Sequence, residues 1–352
     1  MEPDRLEAGG LRLGRGRTWL VAVLVLVVVA GLVVLRFDRS GSGTSPAPGP
    51  TPSATSSAPP GESHDWPTGL PAGTLYVAAG DRINLLDART GRLTRTRVEA
   101  APRAASLTPS GSGVLVWQRG TSARRALLVD GYNLNPLPRR LATAKSFLPA
   151  PGGAVWAAGA EGRTTTRWQR VDADGRATTS VEVAGTALAD GSGGLLSVSR
   201  GGVRPAYPPS DQQRQAVDVV ATGPAGRVTR ACGAGGCRFV LHHRSGEADT
   251  ELVTAVGDDT LGGTLSPTNR LLAVTEEVGG TSTVRVSLVG TGQIAEIFDA
   301  PPGSSSDAVW LDDRWLALLS EDQLVLYDAT DDRVVTPAIP LSSVGPLAWV
   351  PA

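Results

Sequence analysis

The side chains best suited to chemistry lie close together, between residues 232 and 243. Cys232 and Cys237, the only two cysteines, are separated by Gly-Ala-Gly-Gly, and His242 and His243 follow them. A short glycine-rich spacer is typical of a hairpin turn, so the pattern favours a disulfide between the cysteines. The spacing C-x4-C-x4-H-H would alternatively suit zinc, but adjacent side chains of a strand point to opposite faces and cannot easily share one metal ion. We therefore predict a disulfide, no metal ion and no cofactor.

Other patterns that could carry chemistry are better explained as turns. A Ser-His-Asp arrangement would need His242 or His243, and the chain has no G-x-S-x-G, P-loop or H-E-x-x-H motif. A calcium-like string lacks the later acidic ligands, and no helical pattern follows a Rossmann-like string. The patterns interpreted as turns, including two carboxylate pairs, are Asp172–Gly175, Gly290–Ala295, Asp312–Asp313 and Asp331–Asp332. We assign no catalytic residue.

Short strands must position these residues, because no amphipathic helical periodicity persists from Gly73 onward. Apolar runs alternate with Gly, Pro, Asp and Ser, which is typical of strands joined by tight turns. A strand–turn–strand element recurs about every 40 residues, the period of four-stranded propeller blades. Its turns begin near Asp87, Asp130, Asp172, Thr222, Asp258, Val289 and Asp328.

A second hairpin element keeps the same period, at residues 106–117, 147–158, 186–198, 231–241, 264–275 and 309–319. Leu265-Ser266-Pro267 precedes one tight turn and Tyr327-Asp328 begins another. With these motifs, residues 73–352 resemble the WD40-like and TolB-like β-propeller repeat families. The Trp-Asp dipeptide that names WD40 repeats does not occur. The resemblance implies an all-β propeller fold and no particular activity.

The two ends of this region predict how the propeller closes. Six hairpins of the second kind stand against seven turns of the first kind, and the mismatch resolves if Pro346–Val350 completes the blade begun by Thr74–Asn84. Such closure leaves no open sheet edge. We predict seven four-stranded blades, with six or eight as alternatives. We expect the tryptophans of the strands to pack between blades.

One segment departs from the repeat and is the candidate ligand-binding region. We interpret Gly201–Gln215 as an insertion between the second and third strands of the fourth blade, opening on the face that carries the loops between blades. Within it, Arg204, Tyr207 and Arg214 combine planar cations with an aromatic ring, side chains that are common at recognition surfaces. An ordinary surface loop is the alternative.

The first 72 residues predict a membrane anchor and a linker. Residues 18–35 are uncharged and apolar, and a helix of that length spans ~27 Å, close to the ~30 Å hydrocarbon core of a bilayer. Four arginines precede the segment and two closely follow it, which favours residues 1–17 inside and the C-terminal domain outside the cell membrane. A signal peptide cleaved after Ala30 is the alternative. Residues 36–72 are rich in Pro, Ser, Thr and Gly, which predicts a disordered linker before the propeller of residues 73–352.

Composition limits the partners. The net charge is -1 with acids and bases interspersed, so we expect no nucleic acid partner. Lys145 is the only lysine among 33 basic residues, which is typical of a high-GC genome such as that of an actinobacterium. The favoured function is a membrane-anchored binding or scaffolding module for a protein, peptide or cell-envelope glycan. The alternative is a propeller-fold hydrolase or lyase that acts on glycans.

Overall fold

The computed structural model describes residues 66–352 apart from residues 100–104, 120–123, 131–132, 136, 138, 162–163, 201, 210–216, 235, 253–259, 279–280, 300–307, 321–322, 340 and 342–343. The predicted cytoplasmic segment 1–17, the predicted membrane span 18–35 and residues 36–65 of the predicted linker lie outside the described residues. In the described part of the chain, no helix has the length and apolarity needed to cross a membrane.

The described residues form strands almost throughout, with one short helix, α1 (Arg139–Ala142). The strands are β1 (Gly73–Ala79), β2 (Arg82–Asp87), β3 (Leu93–Glu99), β4 (Ala105–Ser110), β5 (Gly113–Arg119), β6 (Arg124–Asp130), β7 (Asn133–Asn135), β8 (Phe147–Pro149), β9 (Val155–Glu161), β10 (Thr165–Val171), β11 (Ala177–Ala184), β12 (Thr186–Ala189), β13 (Leu195–Ser199), β14 (Gly202–Tyr207), β15 (Asp218–Gly223), β16 (Gly226–Gly233), β17 (Gly236–His243), β18 (Thr250–Leu252), β19 (Thr260–Leu265), β20 (Leu271–Val278), β21 (Thr281–Leu288), β22 (Ile294–Asp299), β23 (Ala308–Trp310), β24 (Trp315–Ser320), β25 (Gln323–Asp328), β26 (Arg333–Val335) and β27 (Val344–Pro351).

Antiparallel meanders follow one another along the chain. Three of them, β4–β7, β8–β11 and β23–β26, are four-stranded sheets, and β12–β14 is a three-stranded sheet. The meanders β15–β18 and β19–β22 join into one eight-stranded sheet through parallel pairing of their first strands, at Ala221–Gly263 and Thr222–Thr264. Elsewhere too the first strands of neighbouring meanders contact one another, as β4 does with β8 and β19 with β23. This arrangement is that of a β-propeller, which confirms the predicted all-β propeller fold.

The two ends of the propeller pair as the sequence predicts. Strand β27 runs antiparallel to β1, with Val350 opposite Thr74 and Trp349 opposite Leu75, and completes the sheet β27-β1-β2-β3. Strand β27 also contacts β4 and β23, the first strands of the meanders on either side. The last strand therefore closes the ring of blades.

The segment from Trp66 to Ala72 packs against the propeller, although the sequence assigns it to the linker. The indole nitrogen of Trp66 donates to the carbonyl of Ala88 at 2.9 Å, and that of Trp315 donates to the carbonyl of Gly69 at 3.2 Å. Leu70 is buried in the same apolar cluster as Trp315. Residues 66–72 are thus packed against the propeller.

The core lies between neighbouring sheets. A typical cluster joins Val286 and Phe298 of one sheet to Leu316 and Tyr327 of the next. All six tryptophans of the strand region are buried, as predicted: Trp117, Trp156, Trp168, Trp310, Trp315 and Trp349.

Aspartates recur at the turns because their side chains satisfy turn amides. Asp87 accepts hydrogen bonds from the backbone N–H groups of Arg89 and Thr90, both at 2.9 Å. Asp172 accepts one from Arg176 at 2.7 Å, and Asp328 accepts one from Thr330 at 3.1 Å. These turns join the third and fourth strands of their blades. The repeating aspartate of the sequence therefore stabilises the turn by accepting hydrogen bonds from its backbone N–H groups.

Two turns in the middle of the chain do not stand where the repeat pattern predicts. The pattern groups the hairpin 231–241 with hairpins that join first and second strands, and the turn near Thr222 with turns that join third and fourth strands. The turn near Thr222 joins β15 to β16, the first two strands of their meander, whereas the hairpin 231–241 joins β16 to β17, the second and third. Both turns are rich in glycine, and neither carries the aspartate that marks position within a blade elsewhere. The turn predicted near Asp258 lies outside the described residues.

The predicted insertion Gly201–Gln215 is placed wrongly. Gly202–Tyr207 is itself the third strand of its sheet, β14, paired with β13 from Ser199–Gly202 to Leu195–Tyr207. The sequence pattern hid this strand because Gly202 begins it and Pro205 interrupts it, and both residues usually signal a loop. Gly201 and residues 210–215 of the segment lie outside the described residues.

Candidate binding cleft beside the paired histidines

Strand β17 brings together the cysteine and histidine pairs that the sequence singles out. At its beginning, Cys237 lies directly opposite Cys232 of β16, and the two form a disulfide with Cα atoms 4.0 Å apart. The predicted disulfide is therefore confirmed. Both cysteine sulfur atoms are used in this bond, so neither is a thiolate that could bind zinc. At its end, β17 places His242 and His243 on opposite sides of the sheet, as their separate partners show.

His242 takes part in a chain of hydrogen bonds. Its Nε2 lies 2.8 Å from the hydroxyl oxygen of Thr229, and its Nδ1 lies 2.8 Å from a carboxylate oxygen of Asp249. Hydroxyl, imidazole and carboxylate thus follow in the order of a Ser-His-Asp triad. Thr229, however, is only 3% exposed, so its hydroxyl group is closed off from a substrate. The chain of bonds ties β16, β17 and the turn before β18 together.

Two arginines, Arg244 and Arg227, lie on this side of β17. Arg244 donates to the backbone carbonyls of Pro224 and Asp190, both at 2.8 Å, and so joins the sheet β12–β14 to β15–β18. Burial lowers the pKa of the nearby Arg227 guanidinium from its ordinary value, and the charge of Asp190 opposes that shift. This polar cluster holds two blades together.

His243 faces a cleft of about 380 Å³ on the other side of β17. The hydroxyl group of Thr250 lies 3.1 Å from its Nε2, and a carboxylate oxygen of Glu247 lies 3.6 Å from its Nδ1. The far wall comes from two turns of the next meander, β19–β20 and β21–β22. The lining residues are Leu241, His243, Thr250, Asn269, Arg270, Leu288, Val289, Gly290 and Thr291.

Asn269 shapes this cleft. Its φ of 62° lies in the left-handed region, which asparagine tolerates better than most residues, and its backbone N–H donates to the carbonyl of Ser266 at 2.9 Å. A Cβ atom at Gly226 would lie 2.7 Å from the Asn269 amide nitrogen, so glycine there makes room for the side chain. The carbonyl of the next residue, Arg270, accepts a hydrogen bond from the N–H of Val289 at 3.0 Å and locks the two turns together.

The chemistry of the cleft suits binding. Apolar side chains at Leu288 and Val289 adjoin the hydrogen-bonding groups of Thr250 and Asn269, and Arg270 supplies an exposed positive charge. Pockets that combine an apolar surface with a few placed polar groups are typical of ligand sites. Among the described residues, no group of three or more His, Cys, Asp or Glu side chains is arranged to hold a metal ion.

Two of the three predicted ligand residues, Arg204 and Tyr207, lie on β14 and do not line this cleft. Arg204 is exposed on β14, and Tyr207 packs edge-to-face on Trp156 with ring centroids 5.2 Å apart. Arg214 lies outside the described residues. The sequence did show both turns of the cleft wall, as the Ser-Pro-Thr-Asn turn and the Rossmann-like string Gly290–Ala295. It did not show that they stand apart from β17 and leave a space.

The predicted turn carboxylates near the C-terminus serve the fold. Asp312 accepts hydrogen bonds from the backbone N–H groups of Arg314 and Trp315, and Asp332 accepts one from the hydroxyl group of Tyr327. Arg314 binds the fully buried Asp328 through two hydrogen bonds of 2.7 and 2.5 Å. Burial alone would raise the pKa of Asp328, but the bonds from Arg314 and two backbone N–H groups outweigh it, and the net pKa is lowered.

Comparison with known proteins finds likeness at the level of structure. No family model matches the sequence, and no curated protein matches it. A putative 6-phosphogluconolactonase from Bacteroides uniformis is similar with a TM-score of 0.50 at 12% identity, covering 79% of this chain and 99% of that one. An acylaminoacyl peptidase from Pyrococcus horikoshii is similar with a TM-score of 0.50 at 9% identity, covering 78% of this chain and 53% of that one. TolB from Acinetobacter baumannii also matches, with a TM-score of 0.45 at 12% identity over 80% of this chain and 67% of that one. At these identities the likeness shows the fold alone.

Proposed function

We propose that the protein is a membrane-anchored, extracytoplasmic β-propeller that binds a protein, peptide or cell-envelope ligand through the cleft beside His243. One observation carries this proposal. The cleft presents an exposed arginine and a buried asparagine amide next to apolar side chains, whereas the His242 cluster and the Arg314–Asp328 pair are bonded internally. An exposed charge without a described ionic partner, beside apolar side chains in a cleft, supports binding.

The anchor and its orientation rest on the sequence. Residues 18–35 are apolar, and arginines are more numerous before them than immediately after them. A disulfide in the propeller fits an oxidising compartment outside the cytoplasm. Protease added to intact cells with a permeable envelope should remove the propeller. Protection in intact cells but not in lysates would reverse the proposed orientation, and an N-terminus at Gly31 would show a cleaved signal peptide.

We propose seven blades for the complete propeller. The described strands group into β27 with β1–β3, then β4–β7, β8–β11, β12–β14, β15–β18, β19–β22 and β23–β26. Six of these groups contain four strands, and the chain between β14 and β15 includes residues outside the described set. An experimental density map with six or eight sheets around the axis would contradict this number.

The alternative function, a glycan-active hydrolase or lyase, has one observation in its favour, the hydrogen-bonded chain of Thr229, His242 and Asp249. The burial of Thr229 argues against it, because a nucleophile or general base must reach the substrate. If this cluster were catalytic, H242Q would abolish turnover of a cell-wall glycan substrate. Under the binding proposal, wild type and H242Q show the same background rate.

Site-specific photo-crosslinking tests the binding function. A photoreactive amino acid at Thr291, which is exposed on the rim of the cleft, should give a discrete crosslinked product in native membranes. The same amino acid at Arg89, exposed in the turn between β2 and β3, is the matched control. Identical products from both positions, or none from Thr291, would contradict the proposed site.

A further inference from the structure

The charge of the cleft points to the chemistry of its ligand. We propose that it takes an extended peptide in which an acidic side chain adjoins an aliphatic one, with Arg270 pairing with the carboxylate. This inference rests on the proposed binding function and names the ligand class of the same site.

Arg270 is the anchor of this proposal. It is exposed, it lines the cleft, and no described carboxylate lies within ion-pairing distance of it. Several other arginines already have such a partner, as Arg285 does in Glu276 and Arg314 in Asp328. No described residue that lines the cleft is an aspartate or a glutamate, although a carboxylate oxygen of Glu247 lies 3.6 Å from Nδ1 of the lining residue His243. An incoming carboxylate therefore meets a planar donor that is free to bind it through two hydrogen bonds.

The walls beside Arg270 favour an aliphatic neighbour. Leu288 and Val289 come from one turn, and Leu241 lies on β17 across the cleft. Among the described residues, no tryptophan, tyrosine or phenylalanine lines the space, so the stacking platform that a sugar ring would use is missing. The lining thus favours a peptide over a glycan.

Asn269 supplies a group that suits a peptide backbone. Its side chain is only 6% exposed, and its amide oxygen is buried with no hydrogen-bond partner among the described residues. Burying an amide oxygen without a hydrogen bond costs free energy. If this amide rotates toward the cleft, its oxygen loses no hydrogen bond. A backbone N–H of the ligand can then satisfy it.

The size of the cleft sets the length of the ligand. A volume of about 380 Å³ is near the lower end of the range for ligand pockets, roughly 300–1,000 Å³. A short extended segment fills such a space, whereas a folded surface does not enter it.

Two matched peptides test the proposal. The full-length protein is placed in lipid nanodiscs, and fluorescence anisotropy measures binding of fluorescein-labelled Ala-Leu-Glu-Leu-Ala-Gly and of the same peptide with glutamine for glutamate. We expect the glutamate peptide to bind at least tenfold more tightly. In R270E we expect this preference to be lost, and in the control R89E, which changes an exposed arginine in another sheet by the same charge, we expect it to persist.

Three results would overturn the proposal: equal affinities for both peptides, equal loss in R89E and R270E, or no binding of either peptide. The crosslinking experiment separates this failure from that of the binding function. If position 291 crosslinks a partner while neither peptide binds, the ligand class is wrong and the binding function stands. If position 291 yields no crosslink, the binding function itself fails.

Discussion

The blade β23–β26 and the blade β15–β18 end their third strands with different chemistry. Strand β25 ends at Asp328, whose carboxylate is fully buried and holds Arg314 and the turn amides. Strand β17 ends at His243, which lines a cleft and has only a hydroxyl group and a more distant carboxylate beside it. The first arrangement uses its charges to fix a turn. The second leaves room for a ligand.

This difference shows where a repeat protein can carry function. Asp87 and Asp328 end the third strands of their blades, and each carboxylate accepts hydrogen bonds from the backbone N–H groups two and three residues further on. Blade β15–β18 has His243 at this position. The six residues from Arg244 to Asp249 join its third and fourth strands, and the disulfide links the second and third strands at the other end of β17. The departure from the repeat coincides with the candidate site.

The largest effect on stability is expected where strand β27 closes the ring of blades. Deleting residues 346–352 removes Trp349 from the core and leaves one edge of β1 unpaired, while its other edge stays paired with β2. The deletion also separates β4 from β23 at the point where the ring closes, so we expect loss of cooperative thermal unfolding. Circular dichroism during heating measures it. Deleting only residues 351–352 is the control and should leave the transition in place. An unchanged melting temperature for the longer deletion would refute the structural role of the closure.

A smaller but still large effect is expected for D328A. The substitution leaves Arg314 without its buried partner and leaves two turn N–H groups unsatisfied, which should cost about 2–3 kcal/mol in the free energy of unfolding. Urea denaturation measures this loss. D249A in the other blade removes only a partly exposed carboxylate and should cost less. Equal losses would remove the contrast between the two blades.

The pH dependence of stability tests the same carboxylate. The pKa of Asp328 is lower in the folded protein than in the unfolded chain. Its contribution to the free energy of unfolding is therefore complete above the unfolded-state pKa and is lost as pH falls through the folded-state pKa. We expect the wild-type protein to lose stability over that acid range. In D328N this part of the pH profile should flatten. A profile that remains parallel to that of wild type would contradict the assignment.

The sequence predicts the regular features of the fold better than it predicts the cleft. The closing strand, the buried tryptophans and the disulfide follow from local patterns such as alternation, aspartate turns and the spacing of two cysteines. The order of the turns around Thr222 does not, because a glycine-rich turn has the same signature wherever it stands in a blade. Strand β14 was missed because Pro205 interrupts its pattern. The cleft depends on the distance between two blades, which no local pattern encodes.

The disulfide should have a moderate effect confined to the irregular blade. It closes a loop of few residues, so its removal should cost about 2 kcal/mol at most in the free energy of unfolding. The double variant C232S/C237S measured by urea denaturation checks this value. Thiol labelling of the unfolded, unreduced wild-type protein should give no adduct. Two free thiols in protein exported by its host would contradict the bond.

The smallest effect on stability is expected at Asn269, and it separates folding from binding. N269G keeps the left-handed backbone without strain and removes an amide whose buried oxygen makes no hydrogen bond among the described residues, so the free energy of unfolding should change by less than about 0.5 kcal/mol. N269A keeps the β-carbon in the left-handed region but loses the short polar side chain that lets asparagine tolerate this conformation, and should cost about 1 kcal/mol. If the Asn269 amide binds the ligand, both variants should bind the peptides more weakly than wild type does. The loss should be the same for the glutamate and the glutamine peptide, because the lost contact is to the peptide backbone. If N269G leaves both affinities unchanged, Asn269 shapes the turn only, and recognition in the cleft rests on Arg270 and the apolar walls.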